Sequence, residues 1–218
     1  FITYANLDNF NPSSHSQMWE GEIGSPRLAS KPINKLDQWI ISELNNLVEI
    51  VTSEFESYNP TDAARRIEEF VGALSNWYVR QSRKRFWKSA SDDDKVWAYV
   101  TLYTTLVTVS KLIAPLCPFI ADEIYRILSG ITPKDADPSV HLTLFPKSNP
   151  LLIDVKLDTA TRLAMRVASL GRSARSKAKV KVRQPLSKLL VEIAKPEDEE
   201  YLSMVQDQIL EELNIKIN

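Results

Sequence analysis

The chain has 218 residues, 25% of them charged and 44% hydrophobic, a balance that excludes wholesale disorder. One cysteine, Cys117, and two well-separated histidines, His15 and His141, exclude an intrachain disulfide and a cysteine-rich zinc site. The five glycines, at 21, 24, 72, 130 and 171, leave no room for a glycine-rich phosphate loop, and the net charge of −1 excludes nucleic-acid binding by bulk charge.

At about 150 residues per domain the length predicts one substantial core and a small second unit. Few glycines and many Ala, Leu and Ile favour helices over a turn-rich β fold. No apolar run approaches the ~20 residues of a membrane span, and no secretory signal opens the chain. The expectation is a cytoplasmic protein with no membrane contact. The chain opens on Phe1, and Ile215-Lys216-Ile217-Asn218 reads as a strand just beginning, so a piece of a longer polypeptide is expected.

Residues 1–10 read as the tail of a helix or a short docking segment, and 11–34 as a loop. Together, 1–34 forms a leading segment and loop. From Lys35, the apolar residues Leu36, Trp39, Ile40, Leu44, Leu47, Val48, Val51 and Phe55 recur at helical spacing. Asn59-Pro60-Thr61-Asp62 starts a second helix expected to run to about Trp87, with Ile67, Phe70, Val71, Leu74, Trp77 and Tyr78 inside. Ser91 followed by Asp92-Asp93-Asp94 starts a third, apolar on a wide face and stopped by Pro115, which predicts a central position in a bundle. Pro118 opens a fourth helix closed by Ser129-Gly130.

The prolines at 133, 138, 146 and 150 mark a boundary, so a helical bundle is expected over 35–150. Val140, Leu142 and Leu144 alternate with His141 and Thr143, which predicts a short extended piece. Residues 151–218 are expected to hold a long basic helix and a partial α/β unit. The helix spans Asp158 to about Lys179, with Leu163, Val167, Leu170 and Ala174 inside. A strand over Leu186–Ile193 and a helix over Pro196–Leu213 follow. Cys117 and His141 are expected to be structural, the cysteine as a small buried hydrophobe.

The charge is unevenly distributed. Arg80, Arg83, Lys84, Arg85 and Lys88 form one run without an acid, interleaved with Trp77, Tyr78, Phe86 and Trp87. Arg80, Arg83 and Lys84 share a helix face and Trp87 continues the line, a surface suited to phosphates and to an unpaired base. Trp77, Tyr78 and Phe86 extend the apolar line and are expected in the core. The second segment, 156–188, carries ten cations against Asp158 alone, including Arg172, Arg175, Lys177, Lys179, Lys181 and Arg183. A solvated surface or structural salt bridges are the plain alternative for 80–88. The second cluster has too few local acids to pair with itself, which points to polyanion contact. No nucleophile elbow, zinc-protease motif or paired-cysteine motif occurs, and Asp92–Asp94 fits a helix start better than a metal site.

The run Asn76-Trp77-Tyr78-Val79-Arg80-Gln81-Ser82-Arg83-Lys84-Arg85-Phe86-Trp87 resembles the anticodon-binding domain of the isoleucyl-tRNA synthetase family, among the class I aminoacyl-tRNA synthetases. Leu36–Ser42 is similar to that domain's first helix, and Ala114-Pro115-Leu116-Cys117-Pro118-Phe119 to its characteristic turn. Gly171–Arg175 and Val182–Leu186 resemble the segment leading into its C-terminal appendage. The resemblance spans nearly the whole chain. It implies a mainly α fold, an anticodon-binding helical bundle followed by the start of a small α/β junction domain.

It further implies a tRNA-recognition module of a parent ligase that uses ATP and Mg2+. The fragment itself, lacking the family's catalytic and editing parts, is expected to be catalytically silent and to hold no cofactor or metal. The expected partners are isoleucine tRNA and the remainder of the same synthetase chain, with a monomer as the default. Arg80, Arg83, Lys84, Arg85, Lys88, Arg172, Arg175, Lys177, Lys179, Lys181 and Arg183 are the candidate tRNA-binding cations, and Trp87 is the candidate stacking ring. The alternative is a structural docking module of a valyl- or leucyl-type synthetase, which share the bundle.

Overall fold

A computed structural model describes residues 1–12, 19–20, 27–28, 34–87, 92–130, 139–193 and 195–216. Helices dominate, and the chain divides into two compact units, Phe1–Ile153 and Asp154–Asn218.

The first unit opens with α1 (Ile2–Leu7). The stretch expected to be loop contains one short antiparallel pair, β1 (Trp19–Glu20) with β2 (Arg27–Leu28). The rest of 11–33, apart from residues 11 and 12, lies outside the described residues, His15 included. Helix α2 (Lys35–Glu56) starts where the Asn34 side chain accepts the Leu36 N–H at 2.9 Å. The expected stripe from Leu36 to Val51 is buried, and Phe55 meets Phe145 edge-on at 6.1 Å.

Helix α3 (Pro60–Ala73) has Pro60 in its first turn and Asn59 as its cap, a position where the missing proline N–H costs nothing. Ile67, Phe70, Leu74, Trp77 and Tyr78 are buried as expected, whereas Val71 is exposed. The single helix expected through Trp87 is interrupted. A π-helical stretch over Leu74–Val79 separates α3 from α4 (Arg80–Phe86). Successive residues of an α-helix point about 100° apart, and the wider turn accommodates the adjacent rings of Trp77 and Tyr78, both buried.

Helix α5 (Asp93–Ile113) is capped by Asp92, whose carboxylate accepts the Lys95 N–H at 2.8 Å. Ser91, part of the expected start signal, lies outside the described residues. By length and composition α5 could cross a bilayer. Instead, α2, α3, α4 and α6 (Pro118–Ser129) pack around it, and it is buried along nearly its full length, the central helix of the bundle.

Two expectations fail near α6. Cys117 is exposed, because the two prolines around it hold the backbone in a surface turn. The expected extended piece is a 3-10 turn, Val140–Leu142. Its Ser139 hydroxyl and Val140 N–H both donate to the Asp122 carboxylate, at 2.7 and 3.0 Å. Those bonds are satisfied by a helix side chain, so no strand partner is needed. His141 is exposed, its Nε2 lying 3.3 Å from the Pro118 carbonyl oxygen.

The second unit begins with α7 (Val155–Lys177), capped by Asp154. Its buried line is Leu157, Ala160, Ala164, Val167 and Ala168, and Leu170 is exposed. The inner positions of the last turns belong to Gly171 and Arg175. A Cβ on Gly171 would come within 2.5 Å of Leu213 Cδ1, so the glycine permits close approach. The expected strand over Leu186–Ile193 reduces to one parallel bridge, Leu186 with Ile215. Leu190, Val191 and Ile193 are exposed; the composition favours a strand, but no further ladder covers it among the described residues. The helix expected over Pro196–Leu213 breaks at Val205 into α8 (Pro196–Met204) and α9 (Gln206–Glu212). Val205 leaves the helical region at φ −127° and ψ 19° and is itself buried.

The scarcity of glycine has a counterpart at the helix ends. Among the described residues, four non-glycine residues have positive φ: Asn9, Tyr58, Lys179 and Asn214. Each follows a helix cap and is closed by a pair of backbone bonds. After α2, the Tyr58 N–H donates to Phe55 and the Asn59 N–H to Glu54, at 3.0 and 2.8 Å. The same pairing recurs after α1, α7 and α9. It is the usual left-handed helix end, built here without its usual residue.

Candidate functional site

The first basic segment lies on α4, immediately after the π-helical stretch. Arg80, Arg83, Lys84 and Trp87 are exposed, on the face that three- and four-residue steps make continuous. The Arg83 guanidinium lies 5.5 Å from the centre of the Trp87 ring, within cation–π range. Trp87 is 59% exposed. Its indole N–H donates to the Tyr4 hydroxyl at 2.8 Å, which orients the ring. Phe1, Tyr4, Val79, Arg83, Phe86, Trp87, Tyr99 and Leu102 line a pocket of about 330 Å3. Tyr4 is a site residue that the sequence does not signal. It comes from a different helix, and nothing in its local pattern links it to residue 87. Lys88 lies outside the described residues.

Arg85 departs from the sequence expectation. It is buried, and its guanidinium forms a two-pronged pair with the Asp37 carboxylate at 2.7 and 2.6 Å. It also donates to the Asp94 carboxylate at 3.0 Å and to the Asp94 carbonyl at 2.8 Å. The Tyr78 hydroxyl donates to the same Asp37 at 2.7 Å. One arginine of α4 therefore joins the first turns of α2 and α5. Burial and the Asp37 charge push the Tyr78 hydroxyl well above the ordinary tyrosine range. Burial opposes the charge on Arg85, but the Asp37 contacts more than offset this and raise its value, so it stays protonated. Phe86, Trp77 and Tyr78 are core residues, as expected.

A second link holds α1. Lys95 Nζ lies 2.7 Å from the Asp8 carboxylate, which also accepts from the Tyr99 hydroxyl. Burial raises the Asp8 value, but these two donors together lower it by more, for a net depression. Phe10 stacks on Tyr99 with ring centres 5.0 Å apart. Tyr4 is thereby fixed where it meets Trp87.

The second basic segment lies at the end of α7 and in the loop after it. Lys177, Lys179, Lys181 and Arg183 are exposed. Arg172 is partly exposed and pairs with Glu212, whose side chain is buried. Arg175, like Arg85, is buried instead of presented. Its guanidinium donates to the carbonyls of Lys181, Gln184 and Leu213, at 3.1, 3.0 and 2.6 Å. Among the described residues, no group of three or more His, Cys, Asp or Glu side chains has the placement to hold a metal ion.

The amino-acid sequence that builds this bundle matches known proteins. The description "Anticodon-binding domain of tRNA ligase" fits residues 37–190. The chain belongs to this family of tRNA ligase anticodon-binding domains. Across 99% of its length it is similar to isoleucine–tRNA ligases. It is 52% identical over 216 residues to that of Dehalococcoides mccartyi strain CBDB1 and 45% over 217 residues to that of Cytophaga hutchinsonii. Identity to the Clostridium novyi enzyme is 42% over 216 residues. The chain spans about a fifth of the length of these curated relatives.

Proposed function

We propose that this chain is the tRNA-recognition module of an isoleucine–tRNA ligase and receives the anticodon stem-loop. The observation that carries the reading is the face of α4. Arg80, Arg83, Lys84 and Trp87 are exposed while their neighbours Arg85 and Phe86 are withdrawn. Cations on that face neutralise phosphates and position the RNA without reading it. Trp87, a half-exposed ring held by Tyr4, offers a surface for an unstacked base. Lys177, Lys179, Lys181 and Arg183 add phosphate contacts from the second unit, with Arg172 shared between Glu212 and the RNA. Lys88 belongs with the α4 cations by sequence position. Arg85 and Arg175 are removed from the binding set, because their guanidinium groups are occupied inside the protein.

The isolated chain is catalytically silent. ATP, Mg2+ and isoleucine are used by the remainder of the parent polypeptide, which acts in the cytoplasm. The module is a monomer whose partners are isoleucine tRNA and that remainder. The similarity to isoleucine–tRNA ligases over 99% of the chain favours this reading over a docking module of a valyl- or leucyl-type enzyme.

The test is a titration of the 218-residue chain with isoleucine tRNA and with an anticodon-altered copy across a salt series. The expected result is binding that falls steeply with salt and weakens with the altered anticodon. Neutralising Arg83 weakens both complexes evenly and flattens the salt dependence by about one phosphate. Equal binding of the two tRNAs would reduce the module to a phosphate-holding surface. Absence of binding to either would overturn the reading for this chain and favour the docking alternative.

A further inference from the structure

The loop after α7 is clasped by two helix ends. Helix α7 closes at Lys179, with φ 56°, through bonds from the Lys179 N–H to Ser176 and from the Val180 N–H to Arg175, at 3.1 and 2.9 Å. Helix α9 closes in the same way at Asn214, with φ 51°, through Glu211 and Leu210, at 3.2 and 2.8 Å. The two closures are tied together. Arg175, in the last turn of α7, donates to the Leu213 carbonyl at the end of α9, and to Lys181 and Gln184 within the loop. From the other side, the Asn214 side-chain amide donates to the carbonyls of Val182 and Arg183, at 3.2 and 3.0 Å. Four loop carbonyls are thus held by two side chains, and neither side chain uses a carboxylate to do it.

Arg175, in the last turn of α7, directs its charge into two loop carbonyls and into the Leu213 carbonyl at the C-terminus of α9, positions where a cation is favoured at a helix end. Lys177, Lys179, Lys181 and Arg183, at alternate positions, are left exposed with no carboxylate partner among the described residues. An exposed run of like charges would ordinarily stay mobile and repel itself. The donors beneath it supply the order that its own side chains cannot.

Building on the tRNA-binding reading above, we propose that Arg175 and Asn214 are positioning residues that preorganise the loop 178–184 as a clamp for an RNA phosphate backbone. Lys177, Lys179, Lys181 and Arg183 touch the phosphates, while Arg175 and Asn214 touch only protein. Holding the four cations in one arrangement before the RNA arrives lowers the ordering cost of binding. The clamp recognises charge and not sequence, so it acts alike on any anticodon.

Two variants test this without changing net charge. Asn214→Gly keeps the left-handed backbone and deletes the amide. Arg175→Lys keeps the cation and deletes the fork. Each is titrated as the full chain with isoleucine tRNA and the anticodon-altered copy across salt, alongside thermal unfolding and hydrogen exchange at the loop amides. For Asn214→Gly, unfolding is expected near that of the parent chain, and exchange at 178–184 rises. Affinity at low salt falls roughly three- to ten-fold on both tRNAs, and the salt slope shrinks by about one phosphate equivalent. Lys179→Gly, which removes a cation at a backbone position glycine accepts, lowers the slope by a similar amount. Parent-like slopes and affinities for both Asn214→Gly and Arg175→Lys would overturn the clamp while leaving the tRNA-binding reading intact. Absence of salt-dependent binding by the parent chain would overturn both.

Discussion

The basic segments 80–88 and 172–183 look alike as strings of residues, yet they are anchored by opposite chemistry. In the first, Arg85 is turned inward onto the carboxylates of Asp37 and Asp94. In the second, Arg175 is turned inward onto three backbone carbonyls and, among the described residues, no acid. Each segment gives up one arginine to the interior, while Arg80, Arg83 and Lys84 in the first and Lys177, Lys179, Lys181 and Arg183 in the second stay exposed. Arginine suits both tasks because its planar fork meets two acceptors at once and never loses its charge. The difference lies in what remains when the anchor is cut: a buried, unpaired carboxylate in one case, unsatisfied carbonyls in the other.

Removing each anchor in turn should separate the two segments most strongly. Arg85→Ala leaves Asp37 buried beside Tyr78 without its counter-charge, and is expected to cost about 3–5 kcal/mol in urea unfolding. Arg175→Met leaves carbonyls short of donors in a partly exposed setting, and about 2 kcal/mol is expected from the same measurement. Equal losses would mean that the carboxylates add nothing beyond hydrogen bonding.

Acid separates the two kinds of anchoring further. The Asp8 carboxylate, held by Lys95 and Tyr99, has a folded-state value below its ordinary one. Its contribution is therefore complete above the ordinary value of about 3.9 and is lost as pH falls through the depressed folded value. Urea midpoints taken from about pH 6 down to about pH 3 should show the parent chain losing more stability than Asp8→Asn. The acceptors that hold Arg175 are backbone carbonyls, which offer no carboxylate to protonate.

The smallest expected effect concerns the helix ends that both units share. Tyr58, at φ 55°, and Lys179, at φ 56°, occupy left-handed positions that favour glycine. Tyr58→Gly and Lys179→Gly should each raise stability by up to about 1 kcal/mol, measured by thermal unfolding. A loss from either would show that the exposed side chain contributes more than its backbone strain costs.

Much of the helical order is legible in the sequence. Asn59-Pro60 capping α3, Asp92–Asp94 opening α5 and Pro118 opening α6 are local signals; capping hydrogen bonds from Asn59 and Asp92 answer the first two, and the fixed backbone of Pro118 in the first turn answers the third. Leu186–Ile193 misleads because strand propensity is a preference for a partly buried pleated surface, and among the described residues only Leu186 finds a partner. The apolar period of α7 points to Leu170 and Ala174 as its inner line. The inner turns instead take Gly171, for the approach of Leu213, and Arg175, for the carbonyls beyond it. Residue type alone places Cys117 inside, and its position between two prolines at a surface turn outweighs that preference.

The helices, their caps, the two basic segments and the likeness to anticodon-binding domains all follow from the chain read in order, because each rests on neighbouring residues or on a continuous motif. Which cations face outward does not. Arg83 and Arg85 are two residues apart and chemically identical, and Arg85 goes inside because a carboxylate 48 positions away is waiting for it. Arg175 goes inside because the carbonyl of Leu213, 38 positions away, needs a donor. Burial of a charge is settled by partners that arrive only when the chain folds, so composition can mark a basic segment but cannot sort its members.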